Sequence, residues 1–235
     1  MTPPMVFGMR IAVLTVLVLL AAGCSLTTSG EPHPVPGAVL PTTSGSAAPT
    51  SSVAAVLPSP GAPVAEVAAW VRAGSPADSA RYGTVTAEDG TATPLNGDIA
   101  FASPTGKIKC TTDFQDGDRS LSCLVDLKNP PRRPSGGENG NWVGNWIDYS
   151  GAALSVGSLH GDPGPFIRGT GAVLPYGNRI TVKDYTCRID PTGLVCIHAA
   201  AKSGVRMNDA GIVPFGCLQD QGADPKQTLG QVFQC

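Results

Sequence analysis

Cys187-Arg188-Ile189-Asp190-Pro191-Thr192-Gly193-Leu194-Val195-Cys196 is the stretch whose reading decides the fold. Asp190, Pro191 and Gly193 take the first, second and fourth places of a type I turn, each the favoured residue there. Closing the chain at this loop sets Cys187 opposite Cys196, so the segment predicts a β-hairpin stapled by a disulfide. Leu194-Val195-Cys196-Ile197 continues it as an apolar strand.

The same logic applies upstream, between Cys110 and Cys123. Their midpoint falls on Asp116-Gly117, a strong two-residue hairpin signal because a type I′ turn needs positive φ at both central positions. Gln115 then pairs with Asp118, and counting outward brings Cys110 opposite Cys123. Alternation from the closing pair makes this a non-hydrogen-bonded pair, with Cα atoms about 4.5 Å apart, a span that a disulfide bridges. Cys217 and Cys235 remain and pair by elimination, tying the C-terminal tail to the domain. The two hairpins echo one another, a likeness that repeated hairpin chemistry explains without duplication.

A metal site is the rival reading of these six cysteines. Their spacings lack the C-x₂-C knuckles of structural zinc, and no metal or other cofactor is expected. Disulfides imply an oxidising compartment.

From about Tyr82 onward, short apolar runs alternate with Gly, Pro, Asn and Asp, the pattern of a small all-β domain. Strands are expected over 83–87, 99–102, 107–113, 119–127, 142–149, 152–159, 179–189 and 194–199. A disulfide-stapled β sandwich or open barrel spanning 81–235 is the economical architecture. Val64, Val67 and Val71 recur at helical spacing in an Ala-rich segment, predicting one short helix over Val64–Arg72. This helix and its connector occupy 64–80. Trp70 either docks this helix on the main domain or, the preferred reading, is a merely peripheral contact.

Residues 24–63 are dominated by Ser, Thr, Pro, Gly, Ala and Val, with no aromatic residue after Cys24. Such a segment buries too little apolar surface to offset its chain entropy and reads as a disordered tether. About 40 residues of this kind reach ~35 Å.

The start of the chain carries Arg10, then an apolar run from Ile11 to Ala22 broken only by Thr15. This layout is that of a secretory signal over 1–23, too short for a spanning helix of about 20 apolar residues. Leu20-Ala21-Ala22-Gly23-Cys24 resembles the lipobox of bacterial lipoproteins. Ala22, Gly23 and Cys24 match its last three places, while Ala21 stands where Leu, Val or Ile is usual. The resemblance implies a diacylglycerol thioether on Cys24, cleavage before it, and attachment to the extracytoplasmic face of the cell membrane. Two lipid chains suffice for stable anchoring.

Loss of Arg10, one of 16 basic residues, leaves 15 against 18 acidic, a formal charge of −3. Nucleic-acid binding wants clustered Lys and Arg. The one adjacent pair, Arg132-Arg133, sits among prolines and reads as a stiff connector, so no nucleic-acid partner is expected.

Three further features invite a site. Trp142, Gly144, Trp146 and Asp148 share one face of a strand, which makes Trp142 and Trp146 either a platform for a sugar ring or lipid, or core; Tyr176 is a third aromatic candidate. His160, two residues before Asp162, and His198 are the histidines of the domain. An envelope hydrolase using His160 or His198 is the alternative to a noncatalytic binding module. No Gly-x-Ser-x-Gly turn accompanies either histidine, and no catalytic residue is assigned.

Phe101-Ala102-Ser103-Pro104-Thr105-Gly106-Lys107-Ile108-Lys109-Cys110, Leu121-Ser122-Cys123-Leu124-Val125-Asp126-Leu127, Leu174-Pro175-Tyr176-Gly177, Tyr185-Thr186-Cys187 and Gly193-Leu194-Val195-Cys196 resemble a group of mycobacterial and related actinobacterial exported lipoproteins. His160-Gly161-Asp162-Pro163-Gly164-Pro165 and Pro214-Phe215-Gly216-Cys217 fit the same group. The resemblance covers about 80–217 and implies the compartment and the disulfides, while the likeness to actinobacterial exported proteins makes the Ser and Thr of the tether candidate O-glycosylation sites. It carries no activity.

Overall fold

The computed structural model describes residues 56–112, 120–135, 139–160, 164–222, 224, 226 and 228–235. The segments expected to form the leader and most of the tether, Cys24 included, lie outside these residues, as do Asp116-Gly117 with its expected turn and Asp162. In chain order come α1 (Val64–Arg72), β1 (Ser75–Pro76), β2 (Thr84–Thr86), β3 (Ala92–Pro94), β4 (Ala100–Ala102), β5 (Ile108–Thr111), β6 (Leu121–Val125), β7 (Asn141–Tyr149) and β8 (Ala153–His160). They are followed by β9 (Thr170–Val173), β10 (Asn178–Val182), β11 (Tyr185–Asp190), β12 (Gly193–His198), β13 (Ser203–Asn208), β14 (Gly211–Gly216), β15 (Gln219–Asp220) and β16 (Leu229–Gln234).

Two sheets result, and the fold is a β sandwich. One sheet runs β1-β10-β11-β12-β13-β14, a meander of antiparallel hairpins with β1 added in parallel. The other runs β15-β16-β8-β7-β6-β5-β4-β9-β2-β3. Their facing sides alternate inward along each strand: Leu121, Ile147, Tyr149 and Leu154 from the second sheet meet Ile180, Ile189, Leu194 and Met207 from the first. Each large apolar side chain so buried contributes about 1.5–3 kcal/mol.

Both hairpin staples belong to this core. Cys110 faces Cys123 across β5 and β6, with Cα atoms 4.1 Å apart. Cys187 faces Cys196 across β11 and β12, at 4.0 Å. The closing turn of the second hairpin follows its sequence: Asp190 Oδ1 accepts from the Thr192 backbone N–H at 2.7 Å. Cys217 and Cys235 are bonded as well, Cα atoms 4.6 Å apart, clasping the ends of the C-terminal ribbon.

A buried polar bridge crosses between the sheets. Ser203 Oγ donates to the Gly151 carbonyl at 2.5 Å, which leaves the Tyr149 hydroxyl, 2.7 Å away, to donate to Ser203. Tyr185 in turn donates to the Tyr149 carbonyl at 2.9 Å. Burial pushes the Tyr149 phenol far above its usual range. It stays neutral, as a donor must.

α1 has the bounds its periodicity predicts, but Trp70 is not peripheral. The helix lies on the outer side of the first sheet, where Val67, Ala68, Trp70 and Val71 pack on Val195, Ile197 and Phe215. Trp70 is only 3 % exposed. Arg188 stacks over its ring at 4.0 Å and donates to its carbonyl at 2.7 Å. Apolar side chains on both faces of β12 require a second cover, and Trp70 supplies it.

Other strand expectations also change. Residues 179–189 form two strands, because Lys183 turns the chain with a left-handed φ of 51° that no glycine announces. Its ammonium is held by Asp98 at 2.7 Å. β13, β14 and β16 were not anticipated; β16 returns from the C-terminal region to pair with β8.

Candidate functional site

At one end of the sandwich the turns of both sheets converge around a cleft of about 190 Å³. The β4–β5 turn contributes Ser103, Thr105 and Lys107, and the end of β6 contributes Val125 and Asp126. From the first sheet come Tyr176 before β10, Asp190 to Gly193 between β11 and β12, and Asn208 and Asp209 between β13 and β14.

Most of these polar groups hold the turns themselves. Asp190 is committed to Thr192. Asn208 donates to the Thr192 carbonyl at 3.0 Å and accepts from the backbone of Ala210 and Gly211. Ser103 Oγ accepts from the Ile108 N–H at 3.1 Å. Asp209 pairs with Lys128 at 3.0 Å. The Lys128 ammonium that donates to it holds its carboxyl below the usual range, and Lys107 adds to the effect.

Lys107, Asp126 and Tyr176 differ. Among the described residues, their side chains have no hydrogen-bond or ion-pair partner. Tyr176 is 40 % exposed. It sits in a tight turn closed by the Asn178 N–H to the Pro175 carbonyl at 3.1 Å, with Gly177 at φ 80° in the third place. That left-handed position suits glycine, and it leaves the tyrosine ring projecting.

The two tryptophans are placed differently from an open platform. Trp146 does lie on the outer side of its sheet, but it is 3 % exposed beneath the 3₁₀ turn Gly164–Arg168. A Cβ at Gly164 would come within 2.8 Å of its ring. His160 lies over it with ring centres 3.8 Å apart, Phe166 meets its edge at 5.2 Å, and its Nε1 donates to Asp148 at 2.9 Å. Trp142 is half-buried and donates to the Pro131 carbonyl at 3.1 Å. A register shift between Val143 and Ile147 interrupts the simple alternation that would have aligned the two rings. Of the three aromatic candidates, Tyr176 alone opens on the cleft.

Ser122 and Ser203 are each bonded to a group other than an imidazole. Ser122 donates to Asp148, which also accepts from Trp146. Ser203 is paired across the ladder with His198, yet its hydroxyl goes to Gly151. His198 Nδ1 accepts from the Ala201 N–H at 3.1 Å, which places the proton of the neutral ring on Nε2. Burial lowers its pKa, opposed by nearby Asp184. No group of three or more His, Cys, Asp or Glu side chains among the described residues is arranged to hold a metal ion. No described helix is long and apolar enough to cross a membrane.

Sequence reasoning missed the cleft walls contributed by Lys107, Asp126 and Asp209. Their signal was present: Ser103-Pro104-Thr105-Gly106 and Asn208-Asp209-Ala210-Gly211 are turn tetrapeptides. Turn chemistry identifies each bend but not that the bends meet. Comparison with models of protein families, with curated proteins and with solved structures finds no match to this chain.

Proposed function

We propose that this protein is a lipid-anchored lipoprotein of the cell envelope whose β domain is a noncatalytic binding module. Cys24 carries the lipid on the extracytoplasmic side of the cell membrane, the Pro/Ser/Thr-rich segment spaces the domain from it, and the cleft beside Tyr176 receives the ligand. The observation that carries this reading is the cysteine pairing. Six of the seven cysteines bond with one another, which suits an oxidising compartment and leaves Cys24 for other chemistry.

Cys24→Ala tests the anchor in cells fed a labelled fatty acid. The wild-type chain is expected to take up label and sediment with membranes, and the variant to do neither. Equal labelling of the variant would overturn the anchor.

A further inference from the structure

The cleft at Tyr176 does not end at the rim of the sandwich. It shares Thr105, Lys107, Val125 and Asp126 with a second hollow of about 460 Å³ on the outer side of β5, β6 and β7. That hollow shares Lys109 with a third, of about 670 Å³, which reaches Phe166 and Ile167. Through these shared side chains the three hollows follow one another as an open trough from Tyr176 to Ile167. It starts between the turns of both sheets and continues over the outer face of the second, whereas α1 covers the outer face of the first.

We propose that this trough binds a linear polysaccharide in which anionic units alternate with neutral ones. The inference rests on reading the domain as a binding module and not on the lipid at Cys24. Shape argues for an elongated ligand, because an open trough buries a chain and cannot enclose a small molecule.

Charge sets the chemistry. Ile108 and Cys110 point into the core, so Lys109 points out of β5, and Lys107, one residue before the strand, lies about 7 Å from it along the chain. Neither ammonium has an ion-pair partner among the described residues. They lie where the hollows join. Asp126, Asp190 and Asp209 flank them on one side and Glu88 and Asp89 on the other, so an unbroken run of negative charge is repelled and only the lysine pair takes an acidic group. Intermittent acidic groups fit.

The exposed ring of Tyr176 gives a sugar face a stacking surface. An acidic peptide is the competing occupant. Strand addition would need a free sheet edge, and the trough crosses β5, β6 and β7, whose main-chain groups are already paired with neighbours.

Titration calorimetry on the full-length protein in detergent tests the proposal. The probes are a hyaluronan decasaccharide for carboxylate glycans, a phosphomannan oligosaccharide for phosphate glycans, neutral chitohexaose, and polyglutamate. One of the two anionic glycans is expected to bind, at least tenfold more tightly than chitohexaose or polyglutamate. Lys107→Gln combined with Lys109→Gln should weaken it at least tenfold, and Tyr176→Ala at least fivefold, with thermal midpoints unchanged. Binding that the lysine variant leaves intact overturns the proposal. Polyglutamate binding as tightly as either glycan overturns the glycan assignment while sparing the binding module. Failure of all four probes overturns both.

Discussion

The two outer faces of the sandwich come from similar antiparallel meanders and end in opposite states. On the first sheet Val195, Ile197 and Phe215 face outward and are covered by α1. On the second, Trp146 alone of the outward residues needs a cover and finds it in the Gly164–Arg168 turn, while Lys109, Leu124, Asp148 and Ser155 take the other outward places and the face around Lys109 stays open. An apolar outer row demands a partner element because leaving it wet forfeits about 25 cal/mol for each Å². A polar outer row makes no such demand, so it remains available for a ligand.

Removing the cover should break this contrast most severely. Trp70→Ala is expected to cost about 3–5 kcal/mol, the usual loss for truncating a buried aromatic, and equilibrium urea unfolding would measure it. Against a total of about 5–15 kcal/mol, that is a large share. A loss under 1 kcal/mol would mean that the helix adds little to the sheet beneath it.

The staples sort by exposure in the same way. Cys110, Cys123, Cys187 and Cys196 are at most 2 % exposed, while Cys217 is half-buried and Cys235 is exposed. Mild reductant without denaturant should open Cys217–Cys235 first, shown by mass mapping of alkylated cysteines. Loop-entropy reasoning gives about 3 kcal/mol for a link of this length. Simultaneous release of all three would show that the buried pairs are not protected by the core.

Arg188→Met keeps much of the side-chain volume but removes the hydrogen bond to the Trp70 carbonyl and the charge over its ring. A loss of about 2 kcal/mol is expected in the same urea assay. Combined with Trp70→Ala, the two losses should not add, since they share the contact.

Between the faces, His198 gives the interior a dependence on pH. Its folded pKa lies below the ordinary 6.5, so the folded state resists protonation more than the unfolded chain does. Its contribution is therefore complete above that value and is lost as the pH falls below it. The thermal midpoint should drop on acidification, and His198→Gln should flatten that slope. The smallest effect belongs to the open face. Lys109→Gln should change stability by less than about 0.5 kcal/mol, as for other solvent-facing positions.

How much of this was legible depended on distance along the chain. The bounds of α1 follow from a nine-residue periodicity, and the hairpin staples from turns within 13 and 9 residues of sequence separation. The Lys183 turn escaped because a lysine at φ 51° carries no compositional signal. β16 escaped because its partner β8 lies some 70 residues earlier. Trp146 was read correctly as lying on one strand face, yet whether that face is wet depends on the Gly164–Arg168 turn, which nothing in the strand specifies.

The amino-acid sequence alone determined the β class, the helix and the cysteine pairing, because turn geometry, side-chain alternation and helical spacing act between near neighbours. Tertiary structure alone decided the strand order, the burial of Trp70 and Trp146, and the meeting of Lys107, Asp126, Tyr176 and Asp209 around one cleft. Those depend on contacts between distant segments, whose energies become available only after the chain has closed the loops between them.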